Sequence, residues 1–190
     1  MVHTYEVDGL LVQTGDIICT VDGQGAIMPG EFWRLLGRLL PGVVDHVVVY
    51  VGPGGRCVEA GGKGVITFEM EENTWAAERM TRERGRFVDQ FYGVAYPLRG
   101  RGLSQEEETR IRQGVATYCL AQAAAGKPYN LNFLNPDTED AFYCSQLVYK
   151  AYLPHGINLN TGQGVPNLIG TSSIVFPQEI WSGCSHQRAV

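Results

Sequence analysis

Three residues of this chain could do nucleophilic chemistry together: Cys144, His46 and Glu59. Cys144 opens an apolar helical pattern, Phe142-Tyr143-Cys144-Ser145-Gln146-Leu147-Val148-Tyr149-Lys150-Ala151-Tyr152. A thiol at a helix N-terminus sits near unpaired backbone N–H groups and the positive end of the helix dipole, which favour the thiolate and can hold an oxyanion. Tyr143, Leu147 and Ala151, with Val148 and Tyr152 beside them, recur at helical spacing and would anchor that helix in a core. Taken alone, such a cysteine is more often a small buried apolar residue than a reagent. A reactive role needs a base.

The candidate base lies in the strongest strand pattern of the chain, Val43-Val44-Asp45-His46-Val47-Val48-Val49-Tyr50-Val51, which runs into the turn Gly52-Pro53-Gly54-Gly55. A second strand follows at Arg56-Cys57-Val58-Glu59-Ala60. With Val51 facing Arg56, Val48 lies opposite Glu59, and His46 is on the same face one diagonal step away. An odd loop without a bulge reverses the parity and turns Glu59 away; Asp45 cannot replace it, because neighbouring strand residues face opposite sides. Singly, His46 reads as a satisfied core histidine and Glu59 as a charge that discourages edge pairing. As a pair they balance that reading with another: a carboxylate on one imidazole nitrogen fixes the tautomer in which the other accepts a thiol proton.

Around this trio the composition sets limits. At 190 residues the chain fits one domain, 1–190, with room for a substantial core. A hydrophobic fraction of 44% with 18% charged residues argues against wholesale disorder, and the 24 glycines suggest a turn-rich fold containing β-structure. The net charge of −5 gives no electrostatic reason to expect a nucleic-acid surface. The five cysteines (Cys19, Cys57, Cys119, Cys144, Cys184) are odd in number and form no CxxC pair, which suggests neither a disulfide framework nor a zinc site. No apolar stretch has the length of a membrane span, and the first residues lack a secretory signal. A protein cytoplasmic as synthesised is expected, with leaderless export to a periplasm or target cell left open.

The remaining elements follow in order. A turn at Gly15-Asp16 precedes a buried strand through Cys19; Glu31 to Leu40 carries Phe32, Leu35, Leu36, Leu39 and Leu40 at helical spacing between Pro-Gly pairs. Val65 to Phe68 reads as a strand, Glu69 to Arg86 as a short helix or charged loop anchored by Trp75 and Met80, and Phe87 to Leu98 as another strand. Ser104 with Glu107 forms a capping box whose helix should run to about Ala125, with Gly126 just past its end and Cys119 in its apolar face. Ile174 to Pro177 is a candidate last strand, and Pro177 to Trp181 a turn or short helix; His155 and His186 read as solvated surface.

With His46, Glu59, Gly126-Lys127-Pro128-Tyr129 and Tyr143-Cys144-Ser145-Gln146 in this order, the chain resembles the circularly permuted NlpC/P60 papain-like cysteine hydrolases of the YiiX/YaeF group. Gly15-Asp16-Ile17-Ile18 and Asp45-His46-Val47 through Gly52 belong to the same pattern, which spans most of residues 13–181. The resemblance implies an α+β, papain-like fold: an antiparallel β-sheet or small barrel packed against the nucleophile helix and one long helix. It implies Cys144 as nucleophile, His46 as general base, Glu59 as orienting acid, and Tyr129 and Tyr143 at the oxyanion or substrate, with no metal or other cofactor. The implied activity is an amidase or endopeptidase acting on a peptide or murein fragment, of stem-peptide or γ-glutamyl type. An inhibitor or immunity protein is an unknown partner. Lecithin:retinol acyltransferase-like enzymes share the permuted order, but they typically place a histidine where Glu59 stands and Asn-Cys-Glu-His where this chain has Tyr143-Cys144-Ser145-Gln146. A lipid-directed acyltransferase or thioesterase, and a non-catalytic binding module, are the alternatives.

Overall fold

The run Val47 to Tyr50 is apolar at every position because its strand is buried on both faces. The computed structural model describes residues 1–24, 42–85, 88–164 and 170–189. Among these residues the main sheet has six strands, all antiparallel, in the order β6-β5-β4-β3-β7-β8. These are β3 (Ile17–Gln24), β4 (His46–Tyr50), β5 (Gly55–Gly61), β6 (Gly64–Met70), β7 (Val88–Tyr96) and β8 (Ser185–Arg188). A separate hairpin pairs β1 (Thr4–Val7) with β2 (Leu10–Gln13). The α-helices among the described residues are α1 (Thr81–Arg84), α2 (Gln105–Ala124), α3 (Cys144–Tyr152) and α4 (Pro177–Gly183).

Strand alternation sends neighbouring residues into two cores. Val47, Val49, Val58 and Ala95 pack with Ile111, Val115 and Cys119 of α2 and with Leu147, Val148 and Ala151 of α3. Val48, Tyr50, Cys57, Phe68 and Val94 pack on the other face with Val7, Leu10 and Val12 of the hairpin and with Trp75 and Met80. Each Val, Leu, Ile, Phe or Met side chain so removed from water contributes roughly 1.5–3 kcal/mol, so the two layers hold the central strands from both sides.

The β4–β5 register is the one the turn predicts. Val49 pairs with Val58 and Tyr50 with Cys57, and the Val51 N–H donates to Arg56 O at 2.9 Å. The capping box is also present: Ser104 Oγ accepts the Glu107 N–H at 3.2 Å, while Glu107 Oε2 accepts the Ser104 N–H at 2.9 Å. Gly126, at φ +62°, follows the C-cap Ala125 where an L side chain would be strained. Arg112 of α2 reaches the Gly15–Asp16 turn, donating to Asp16 Oδ1 at 2.8 Å and Thr14 O at 2.9 Å.

The expected antiparallel sheet is present. One local expectation changes. Ile174 to Phe176 is buried but not a strand, because side chains from the start of α3 take up its backbone: Tyr143 Oη accepts the Val175 N–H and Ser145 Oγ donates to Val175 O. The last strand is β8, where His186 is exposed and stacks on Trp181 with ring centres 4.3 Å apart. The helical pattern from Glu31 to Leu40 lies outside the described residues.

Candidate active site

Cys144 is the first residue of α3, behind an N-cap, Tyr143, in extended conformation (φ −94°, ψ 165°). The first N–H groups of a helix have no intrahelical acceptor, and the sulfur of Cys144 stands at such a terminus. This terminus is gripped by Gln146, which is fully buried. Its Oε1 accepts the Tyr143 N–H at 3.2 Å and Asn130 Nδ2 at 2.9 Å, and its Nε2 donates to Thr138 O at 2.9 Å and Pro136 O at 3.2 Å. The N3 glutamine thus ties the helix start to the loop between α2 and α3.

His46 is the first residue of β4, beyond the last β4–β5 pair. Its Nε2 lies 2.8 Å from Glu59 Oε2, and the same ring is hydrogen-bonded to Cys144. With Nε2 engaged by the carboxylate, Nδ1 is the nitrogen left for the thiol. Cys144, His46 and Glu59 are 1%, 6% and 2% exposed, so their mutual interactions are little weakened by water.

The electrostatics follow from this burial and these partners. Burial alone would lower the His46 pKa, but the charge and hydrogen bond of Cys144, with those of Glu59, raise it from 6.5 to about 10. Burial would raise Glu59, yet the Arg84 guanidinium and the His46 bond bring it down from 4.5 to about 2. Both effects favour the imidazolium form of His46 beside an ionised Glu59, and an imidazolium next to the sulfur can give its proton to a leaving group.

Arg84 was not legible as a site residue. It lies in the charged stretch read as a helix or loop, yet its side chain is wholly buried and donates to both Glu59 oxygens, at 3.0 Å from Nε and 2.9 Å from Nη2. Asp89, its second partner, carried a usable signal: like His46 and Glu59, it is an ionisable residue inside a strand. A cavity of about 430 Å³ beside the same stretch is lined by Arg56, Thr67, Arg79, Arg82 and Glu83 among others, and by none of Cys144, His46 and Glu59.

Tyr129 is half-buried, bridged through its backbone to Phe142, with its ring edge-on to Phe133 at 6.3 Å. Tyr143 is fully buried, its ring packed on Phe133 at 5.4 Å and its hydroxyl accepting the Val175 N–H. Among the described residues there is no group of three or more His, Cys, Asp or Glu that could hold a metal ion, and no helix is long and apolar enough to cross a membrane.

Compared with known families, residues 12–181 match the permuted papain-like amidase enzymes of the YaeF/YiiX, C92 family. No curated protein and no solved structure matches the chain. The family match spans both strands that carry His46 and Glu59 and the helix that starts at Cys144, so the chain belongs to the permuted papain-like amidases of the YaeF/YiiX, C92 family and is a cysteine hydrolase.

Proposed function

We propose that the protein hydrolyses peptide amide bonds through a Cys144-His46-Glu59 triad, acting on peptidoglycan stem peptides or γ-glutamyl amides. The observation that carries this reading is the bonding of one buried imidazole to Cys144 on one side and Glu59 on the other. The proton shared by Cys144 and His46 rests on His46, and the Cys144 sulfur adds to the amide carbonyl. The resulting oxyanion is held by the backbone N–H of Cys144, with Tyr129 as the side-chain donor. His46 then protonates the departing amine and a thioester remains. Water, deprotonated by His46, adds to that thioester; collapse releases the acid and regenerates the thiol.

Wild-type protein, Cys144→Ala and His46→Ala are incubated with purified murein peptides and the products weighed by mass spectrometry. The expected result is amide cleavage by wild type alone, with water added across one bond. Acyl transfer from a phospholipid that depends on Cys144, without amide cleavage, would replace the peptide reading with a lipid-directed one.

A further inference from the structure

We infer that Arg84 is a positioning residue of this site, which keeps the Glu59 carboxylate ionised and aimed at His46, and that the charged excursion between β6 and β7 serves to deliver it. The inference rests on the triad reading above and adds a residue to it.

The guanidinium has 0% of its side chain exposed and bridges two carboxylates. Toward Glu59 it presents a two-pronged fork, Nε to Oε1 at 3.0 Å and Nη2 to Oε2 at 2.9 Å. Toward Asp89 it gives Nη1 to Oδ1 at 2.7 Å and Nη2 to Oδ2 at 3.0 Å. Asp89 is held in turn by Thr20 Oγ1 at 2.6 Å and Trp75 Nε1 at 3.1 Å. The guanidinium carbon lies 4.9 Å from the ring centres of both Phe68 and Trp75. Four of its hydrogen bonds are thus spoken for in a rigid cage, and the ring contacts exclude water from it.

Stability alone does not account for this cluster. Taking charges out of water is expensive, and well-packed apolar replacements for a buried ion network are often as stable or more so. The cluster instead solves a problem at the triad. Glu59 Oε2 accepts from both His46 Nε2 and Arg84 Nη2, so Arg84 fixes the oxygen that orients the imidazole. Without the guanidinium, Glu59 would be left buried beside a second carboxyl group with no cation between them, which favours its protonated form. A protonated Glu59 cannot stabilise an imidazolium. The groups facing Glu59 are His46 of β4, Arg84 of α1 and the Cys57 thiol of its own strand, and those facing His46 are Cys144 of α3 and Glu59.

The local sequence is arranged for this delivery. Trp75 and Met80 anchor the excursion in the second core, α1 supplies Arg84 as its last residue, and Gly85 turns the chain away at φ +79°. Lys63 Nζ donates to Arg82 O at 2.9 Å and ties the helix to the β5–β6 turn.

The test compares wild type, His46→Ala, Arg84→Gln, Arg84→Lys and the double variant Arg84→Gln/Asp89→Asn, each checked for folding by circular dichroism. Two readouts are taken: kcat on the murein peptide, and the pH dependence of Cys144 alkylation by iodoacetamide, assigned by peptide mapping. Arg84→Gln is expected to lower kcat about 100-fold with little change in KM, and to slow Cys144 alkylation at neutral pH. The double variant, which removes the second carboxylate as well, should recover to about tenfold below wild type, and Arg84→Lys should fall between. If Arg84→Gln does not fold, the double variant decides. Wild-type kcat and an unchanged alkylation profile in whichever of these folds would overturn the inference. Should wild-type Cys144 react no faster than in His46→Ala, it is the triad reading that fails, and the role of Arg84 fails with it.

Discussion

His46 and Glu59 are separated by 13 residues in sequence and 2.8 Å in space, Nε2 to Oε2, with His46 at the start of β4 and Glu59 inside β5, both just beyond the last pair between those two strands. Cys144 packs in the core beneath the helices, whereas Cys57, two residues before Glu59, belongs to the core on the other face. His46 therefore links a sulfur on one side of the sheet rim to a carboxylate anchored on the other. Movement of either layer changes both of its hydrogen bonds.

That linkage predicts how His46 titrates when its partners are removed. Burial alone lowers its pKa, and Cys144 contributes the largest opposing effects, through charge and hydrogen bond. In Cys144→Ala the His46 pKa is expected to fall well below its wild-type value of about 10, toward or below the ordinary histidine value, since Glu59 alone then opposes the burial. The titration is followed by NMR of the ring protons. A His46 pKa that stays near 10 in this variant would show that Cys144 does not bear on the imidazole.

The same shifts give stability a shape along the pH axis. Glu59 is held down at about 2 from 4.5, so its contribution is complete above about 4.5 and disappears as pH falls toward 2. His46 is held up at about 10 from 6.5, so its contribution is complete below about 6.5 and disappears as pH rises through 10. Between about 4.5 and 6.5 both are present in full. Urea midpoints measured from pH 3 to 10 should therefore be highest in that window; Glu59→Gln should flatten the acid side and His46→Gln the alkaline side. Unchanged slopes in both variants would refute the assignment.

Tyr129 distinguishes catalytic help from packing. If its hydroxyl holds the reaction's oxyanion, Tyr129→Phe removes one donor and keeps the ring against Phe133. The expected outcome is a fall in kcat of at least about tenfold, below the range for loss of a main oxyanion donor because the backbone N–H of Cys144 remains. Thermal stability should hardly change. Equal activity of the two proteins would assign Tyr129 to packing alone.

The loss of Gln146 should be felt in both folding and activity. Its side chain makes four hydrogen bonds, to Tyr143 N–H, Asn130 Nδ2, Pro136 O and Thr138 O, in a fully buried setting. Gln146→Leu keeps the bulk but strands those groups, and about 2–3 kcal/mol of stability should be lost by urea unfolding. Because the same bonds aim the first turn of α3, kcat should fall even where the variant is fully folded. A variant that loses stability but keeps kcat would separate the two roles.

What could be read from residues alone depended on how local the determining contacts are. The β4–β5 register follows from one four-residue turn, and α2 is bounded by a capping box and a glycine, so these were legible within short windows. The β1–β2 hairpin had its signal too, Asp8-Gly9 with φ of 45° and 80°, but between strands of four residues each. Ile174 to Phe176 looks like a strand because its residues are apolar and β-branched, and only the distant Tyr143 and Ser145 side chains make it something else. Arg84 was the hardest to see. Its neighbours Arg82, Glu83 and Glu78 face solvent, and what buries it are Glu59 and Asp89, 25 residues before and five after. A charged run gives no sign of which member turns inward until the strands that supply its counter-charges are in place.

The α2 capping box offers a stability prediction that leaves the chemistry alone. Ser104 Oγ and the Glu107 carboxylate satisfy each other's backbone N–H groups on the exposed start of the helix. Ser104→Ala should cost about 1 kcal/mol, read as a lower urea midpoint with an unchanged slope. Glu107→Ala should also lower the midpoint, and Ser104→Ala/Glu107→Ala should lower it by less than the sum of the two, because each single change already breaks part of the reciprocal pair. The Glu107 pKa is lowered first by its side-chain bond to Ser104, so the destabilisation in Ser104→Ala should shrink as pH falls below the ordinary glutamate value and the wild-type box itself is lost. Since α2 packs behind the sheet and α3 without contributing any of the three triad groups, kcat measured well below the midpoint should match wild type in all three variants. Strict additivity of the two changes would show that the box does not act as a unit.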